Sequence, residues 1–152
     1  MNSQESPIPS ITEHAQGTQS FHRLMTSYGA VFDAYNLDAI MRQYHTPCFV
    51  YKDGNALFFT DEAHKRTYFE DLLARLRTAG VHHSDIADLN ATPLGPSSAF
   101  VTVHWISRKE DQSVVYDFLD SYILARIGDR WKFLGDAVHE GEYSKATSPT
   151  PK

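Results

Sequence analysis

Between Val114 and Ile127, the residues Tyr116, Phe118, Asp120, Tyr122 and Leu124 recur at every second position. Period-2 spacing puts them on one face of a strand, so a single carboxyl stands among aromatic rings. Small-molecule pockets are commonly walled by such a surface, apolar with a few polar tips. The following run, Arg130 to Glu140, returns after the tight Gly128-Asp129 turn. A two-residue turn would oppose Ile127 to Arg130 and bring Trp131, Phe133, Gly135, Ala137 and His139 onto the Asp120 face. A slip of one residue would bring Leu134, Asp136 and Val138 there instead. His139 and Asp136 are therefore mutually exclusive candidates for a group beside Asp120.

The eight histidines give no metal pattern. His82 and His83 are adjacent on an expected strand and point to opposite faces, as do His139 and Glu140, and no His-x-x-x-His or HExxH spacing occurs. His83, His104 and His139 are the ones placed to reach a cavity. Cys48 is the single cysteine, sits in an apolar run and reads as an inert buried thiol. G-x-S-x-G and the Gly-rich phosphate loops are absent, so hydrolase and nucleotide chemistry find no support and no cofactor is called for.

The elements that must position these groups follow from the same patterning. Phe21, Leu24, Met25, Tyr28, Val31, Phe32 and Tyr35 form the apolar stripe of a first helix ending near Asn36. A second helix is expected over Asp38 to His45, capped by Asp38 and stopped by Pro47. Cys48 to Tyr51 and Ala56 to Phe59 read as a hairpin about Asp53-Gly54. A third helix starts at Thr60, buries Phe69, Leu72, Leu73 and Leu76, and ends at Gly80. Strand-like sequence resumes over Val81 to Ala91, turns at Pro93 to Pro96, and continues through Phe100 to Arg108, where Val101, Val103 and Trp105 share one face and Thr102, His104 and Ile106 the other. The order predicts an α+β domain in which a curved sheet wraps helices and leaves a cavity between them.

One domain accounts for the 152 residues, with mobile ends expected at residues 1–17 and 141–152 and the domain over 18–140. Fourteen basic against nineteen acidic residues, with no basic stripe, argue against nucleic acid. No apolar run reaches spanning length and the first ten residues do not form an export signal, so the expectation is a cytoplasmic protein that does not enter membranes.

Tyr35-Asn36-Leu37-Asp38-Ala39-Ile40, the strand Val114 to Leu124 and the closing Gly128-Asp129-Arg130-Trp131-Lys132-Phe133 resemble the nuclear transport factor 2-like superfamily, in particular its SnoaL-like and steroid delta-isomerase-like bacterial members, over about residues 20–140. The resemblance implies a cone-shaped α+β fold, a curved, mixed but mainly antiparallel sheet on three helices, and a homodimer through the sheet's outer face. It also implies roles. Tyr28 falls where the steroid isomerases keep an oxyanion-hole tyrosine, Asp120 where they keep a protonated aspartic acid, and their base maps near Tyr51-Lys52-Asp53, where Asp53 is the carboxylate.

A phenol and a neutral carboxylic acid can both donate to an enolate-like oxygen, with His139, His104 or Asp53 moving the proton. The expected cavity wall comprises Tyr28, Phe32, Tyr51, Phe69, Trp105, Tyr116, Phe118, Asp120 and Trp131, around a small hydrophobic ligand. Three functions stay open: a small-molecule-binding module, a cofactor-independent isomerase, dehydratase or cyclase, and a structural dimerisation module. The last needs Tyr28 only as a core residue and Asp120 only as a satisfied acceptor.

Overall fold

The computed structural model describes residues 11–140, with side chains described from residue 19 to residue 139. The elements run α1 (Ile11–Asp33), α2 (Leu37–Gln43), β1 (Tyr44–Lys52), β2 (Asn55–Phe59), α3 (Glu62–Ala79), β3 (His83–Pro93), β4 (Ser98–Arg108), β5 (Val114–Ile127) and β6 (Arg130–Glu140). They form the expected α+β cone: three helices against one curved, six-stranded open sheet of order β2-β1-β6-β5-β4-β3. All neighbours are antiparallel except β1 and β6, which run parallel. Among the described residues no helix is long and apolar enough to cross a membrane.

Several boundaries differ from the sequence reading. α1 begins at Ile11, so the segment expected to be mobile through residue 17 is partly helical, while residues 1–10 and 141–152 lie outside the described residues. It ends three residues earlier than expected, because Tyr35 takes a left-handed φ of 53° and Asn36 caps α2 by accepting from the Ala39 N–H. Asp38 is therefore not the cap; it lies in the first turn and pairs with Arg66. Pro47 does not stop α2 either, since the chain is already extended from Tyr44 and Pro47 lies within β1.

The hairpin is as expected, with Asp53 and Gly54 both at positive φ as a two-residue turn of this type requires. α3 is capped by Asp61 rather than Thr60, the Asp61 carboxylate accepting from the His64 N–H, and it ends at Gly80 in the left-handed conformation.

Three places where two residues oppose one bend the sheet: Ala87 in β3, Val115 in β5 and Leu134 in β6 are each left without a direct partner. The concave face carries Val50, Val101, Val103, Trp105, Asp120, Tyr122, Leu124 and Phe133, all buried. α1 lies against it with Phe21, Met25 and Tyr28, and it approaches so closely at Gly29 that an added Cβ would come within 3.1 Å of the Trp105 ring.

Lys65 lies on the same α3 stripe as Phe69, four residues earlier, and is 1% exposed. Its ammonium donates to the carbonyls of Met41 (3.2 Å) and Tyr44 (2.9 Å) and to Thr46 Oγ1 (2.7 Å), with Glu62 at 3.3 Å. One buried charge thus satisfies the orphan carbonyls at the α2–β1 junction and fixes where Tyr44 enters the core. Lys65→Met should cost roughly 2–4 kcal/mol in urea denaturation, because carbonyls are left buried and unpaired. A loss under about 0.5 kcal/mol, the scale of an ordinary surface substitution, would remove this role.

Candidate functional site

A cavity of about 270 Å³ lies between the concave face and the helices. It is slightly smaller than the roughly 300–1,000 Å³ of sites that hold drug-sized molecules. Phe32 from α1, Tyr68, Phe69 and Leu72 from α3, and Trp105 and Phe118 from the sheet supply its apolar wall. At its base stand two carboxyls, Asp120 from β5 and Asp136 from β6, which are 6% and 4% exposed. The unpaired Leu134 is what brings them together. Ile127 opposes Arg130 and Leu124 opposes Phe133 as a two-residue turn requires, but past Leu134 the parity inverts, so Tyr122 faces Asp136 and Asp120 faces Val138.

Burial pushes both carboxyls up. Asp120 is held well above the ordinary range by desolvation, then by the negative charge and hydrogen bonding of Asp136, while a Tyr122 hydrogen bond and Lys52 pull the other way. Asp136 is raised by desolvation to about 6, tempered by hydrogen bonds from Asp120 and Tyr44. Two adjacent carboxyls in an apolar site cannot both ionise, so near neutral pH the pair retains one proton, on Asp120, with the charge on Asp136.

A phenol relay supports that charge. Tyr44 OH donates to Asp136 Oδ1 at 3.2 Å, which leaves Tyr28 OH to donate to the Tyr44 oxygen at 3.0 Å. Burial and the Asp136 charge hold both phenols well above the usual range, so they stay neutral donors. Trp105 Nε1–H donates to Tyr122 OH at 2.9 Å. Asp120 Oδ1 is the buried side-chain atom left without a partner among the described residues.

The fold now stands beside known proteins. A family model described as NTF2-like protein (DUF6841) matches residues 19–141. The chain belongs to this NTF2-like family. No curated protein matches it. An NTF2-like protein with a cystatin-like fold from Novosphingobium aromaticivorans is similar in structure, at a TM-score of 0.64 and 13% identity, over 94% of this chain and 97% of that one. An NTF-2 like protein of unknown function from Shewanella oneidensis aligns at a TM-score of 0.60 and 15% identity, over 80% of this chain and 98% of the other. At such identities the likeness concerns the fold.

Within this NTF2-like protein, Tyr28, Phe32, Phe69, Trp105, Tyr116, Phe118 and Asp120 all line the cavity. Other candidates lie elsewhere. Tyr51 is 41% exposed on the outer face, because Val50 and Lys52 take the inward places of β1. Trp131 precedes the bulge and packs edge-on against Phe21 at 5.1 Å, outside the cavity. His139 pairs with Leu119 and so projects from the face opposite Asp120. His104 is also on the outer face, with Nε2 2.5 Å from Asp117 Oδ1. Asp53 is spent in the hairpin turn.

His83 sits near the rim between Asp33 (3.0 Å) and Asp85 (2.5 Å), and hydrogen bonding to Asp85, ahead of Asp33, raises its pKa. Burial pushes the Cys48 thiol up to about 11, which suits packing rather than nucleophilic attack. Among the described residues no three His, Cys, Asp or Glu side chains could hold a metal ion.

Sequence reasoning left Asp136 as one of two alternatives and passed over Tyr44, Lys52 and Lys65. Parity from Cys48 and Val50 would have turned Lys52 inward, and the i, i+4 relation to Phe69 would have flagged Lys65. Nothing local in Phe133-Leu134-Gly135 announces the bulge.

Raised carboxyl pKa values make the folded state bind more protons than the unfolded chain, so their contribution to stability is complete below about pH 4 and is lost as pH rises through about 6 and beyond. From 3.8 to about 6, Asp136 alone accounts for roughly 3 kcal/mol at 1.36 kcal/mol per unit. Replacing Asp120 and Asp136 together by Asn should therefore flatten the pH profile and raise alkaline stability by about 3 kcal/mol or more. Parallel urea profiles for wild type and double variant would contradict the assignment.

Proposed function

We propose that this NTF2-like protein binds a small, largely apolar molecule in its cavity, with the Asp120–Asp136 pair recognising one polar oxygen of that molecule. The observation that carries the reading is Asp120 Oδ1, buried and unpartnered at the base of an aromatic-walled hollow. An unsatisfied buried oxygen costs stability unless something binds it, and the Asp120 proton, turned from Asp136 onto Oδ1, would give a ligand acceptor its donor. The Tyr28 hydroxyl supports the pair through Tyr44, while the residue also lines the cavity.

One observation favours a second reading, a cofactor-independent isomerase, dehydratase or cyclase acting on a carbonyl compound. The neighbouring carboxyls have separated proton affinities, so one is a neutral donor while the other, at about 6, is a base poised near neutral pH. Asp120 would donate to the carbonyl oxygen and Asp136 would take the proton released from the adjacent carbon. The exposure of Tyr51, Phe58 and Phe100 on the outer sheet face supports a proposed homodimer through that face.

Acetophenone tests both functional readings. It should raise the melting temperature of wild type, and Asp120→Ala should weaken its binding by about tenfold, the scale of one buried hydrogen bond. An equal shift in Asp120→Ala would contradict recognition at the pair. Under the enzymatic reading, wild type in D2O also exchanges the ketone's methyl hydrogens and Asp136→Asn does not; an unaccelerated rate in wild type leaves binding alone. For assembly, light scattering should report twice the chain mass, reduced to one chain by Phe100→Glu, and a wild-type monomer would refute the dimer.

A further inference from the structure

His83, the first residue of β3, is held between two acids. Its Nδ1 lies 3.0 Å from Asp33 Oδ2, on the last residue of α1, and its Nε2 lies 2.5 Å from Asp85 Oδ1, two residues further along β3. A neutral imidazole carries one N–H, so between two ionised carboxylates it would set a ring lone pair against a carboxylate lone pair. The imidazolium donates to both. Hydrogen bonding to Asp85, ahead of the charge of Asp33, favours that form against the cost of burial. Arg108, from β4, donates to the other Asp85 oxygen at 2.9 Å and so faces the acid rather than the ring. The second Asp33 oxygen accepts from the Ser84 N–H at 3.1 Å.

Each side of this bridge lacks something the other supplies. β3 is at the edge of the sheet, where outward N–H groups have no strand to pair with, and the Ser84 N–H finds Asp33 instead. Asp33 in turn stands at the C-terminal end of a helix, where the dipole disfavours an anion, and the last turn of α1 brings no basic residue. His83 provides the missing charge from β3. We propose that protonated His83 is a clamp closing the seam between the end of α1 and the edge strand β3, and that raising the pH releases it. Asp33, its neighbour Phe32 and Ser84 all line the cavity, so the clamp sets how firmly that wall is held, whatever the cavity contains. The ring binds its proton more tightly in the folded chain than in the unfolded one, so the clamp's stabilisation is complete well below pH 6.5 and is lost as pH rises through the higher folded value. Salt weakens it, because the His83 side chain is 45% exposed.

Two measurements on the full chain test the clamp. Nitrogen-15 NMR of the histidine rings, with His83 assigned by His83→Ala, reads the charge. The ring should be mostly doubly protonated at pH 6.5, the ordinary histidine value, and Asp33→Asn should lower its midpoint. A ring half neutral or more at that pH, or a midpoint that Asp33→Asn leaves in place, would overturn the inference. Hydrogen exchange at the Ser84 amide reads the seam itself. Its protection, corrected for the intrinsic pH dependence of exchange, should fall about threefold between about pH 6 and about pH 9, the scale of a half-exposed ion pair. In His83→Ala the protection should be low at both. Constant protection in wild type, or an equal fall in His83→Ala, which would trace it to other groups such as the Asp120–Asp136 pair, would also overturn it.

Discussion

Two carboxyl groups placed side by side away from water cannot both carry charge, and most of what is distinctive in this molecule follows from Asp120 and Asp136 being so placed. The arrangement opposes stability as pH rises, and its surroundings are organised to bear it: Tyr44 and, through it, Tyr28 direct their hydroxyl hydrogens toward the Asp136 charge. Tyr122 serves Asp120 in the same way. Yet one oxygen of Asp120 is left over. On the proposed binding reading, a pair this costly and incompletely satisfied is kept for what it recognises rather than for what it stabilises.

The scaffold delivers this pair by small irregularities in otherwise regular elements. A single unpaired residue, Leu134, inverts the facing of β6 and turns Asp136 inward. The parallel pairing of β1 with β6 then sets Val50 beside Asp136 and Lys52 beside Val138, so a cation stands nearer the mouth on the same face as the acids. Lys65 ties the α2–β1 junction from beneath, fixing the entry of Tyr44 into the core. These features place neutral donors and one negative charge deep, and positive charge at the opening.

The fold class, the hairpin at Asp53-Gly54, the stop at Gly80 and the two-residue turn at Gly128-Asp129 were legible in the sequence, because each rests on local periodicity or on a residue with a special backbone conformation. The aromatic face of β5, with Asp120 in it, was legible for the same reason. What escaped depends on pairing between distant segments. Alternation along β6 alone cannot reveal an extra residue, so His139 and Asp136 stayed equivalent until the ladder with β5 was seen. Trp131 was assigned to the wall by the same regular alternation, but it packs against Phe21 outside the cavity. Tyr51 was likewise expected in the wall, yet β1 turns its aliphatic Val50 and its Lys52 inward instead. A lysine on a buried helical stripe contradicts the usual preference of the side chain, and only the carbonyls gathered around Lys65 explain it.

The shared proton can be observed directly. With aspartate carboxyl carbons labelled, the Asp120 and Asp136 resonances, assigned by single Asn substitutions, can be followed through a pH titration of the free protein. The account predicts that Asp136 titrates near 6 while Asp120 remains protonated well above the ordinary carboxylate range. If both carbons instead report ionisation together at about 4, as unperturbed aspartates do, the pair is not a one-proton site and the account of the cavity built on it fails.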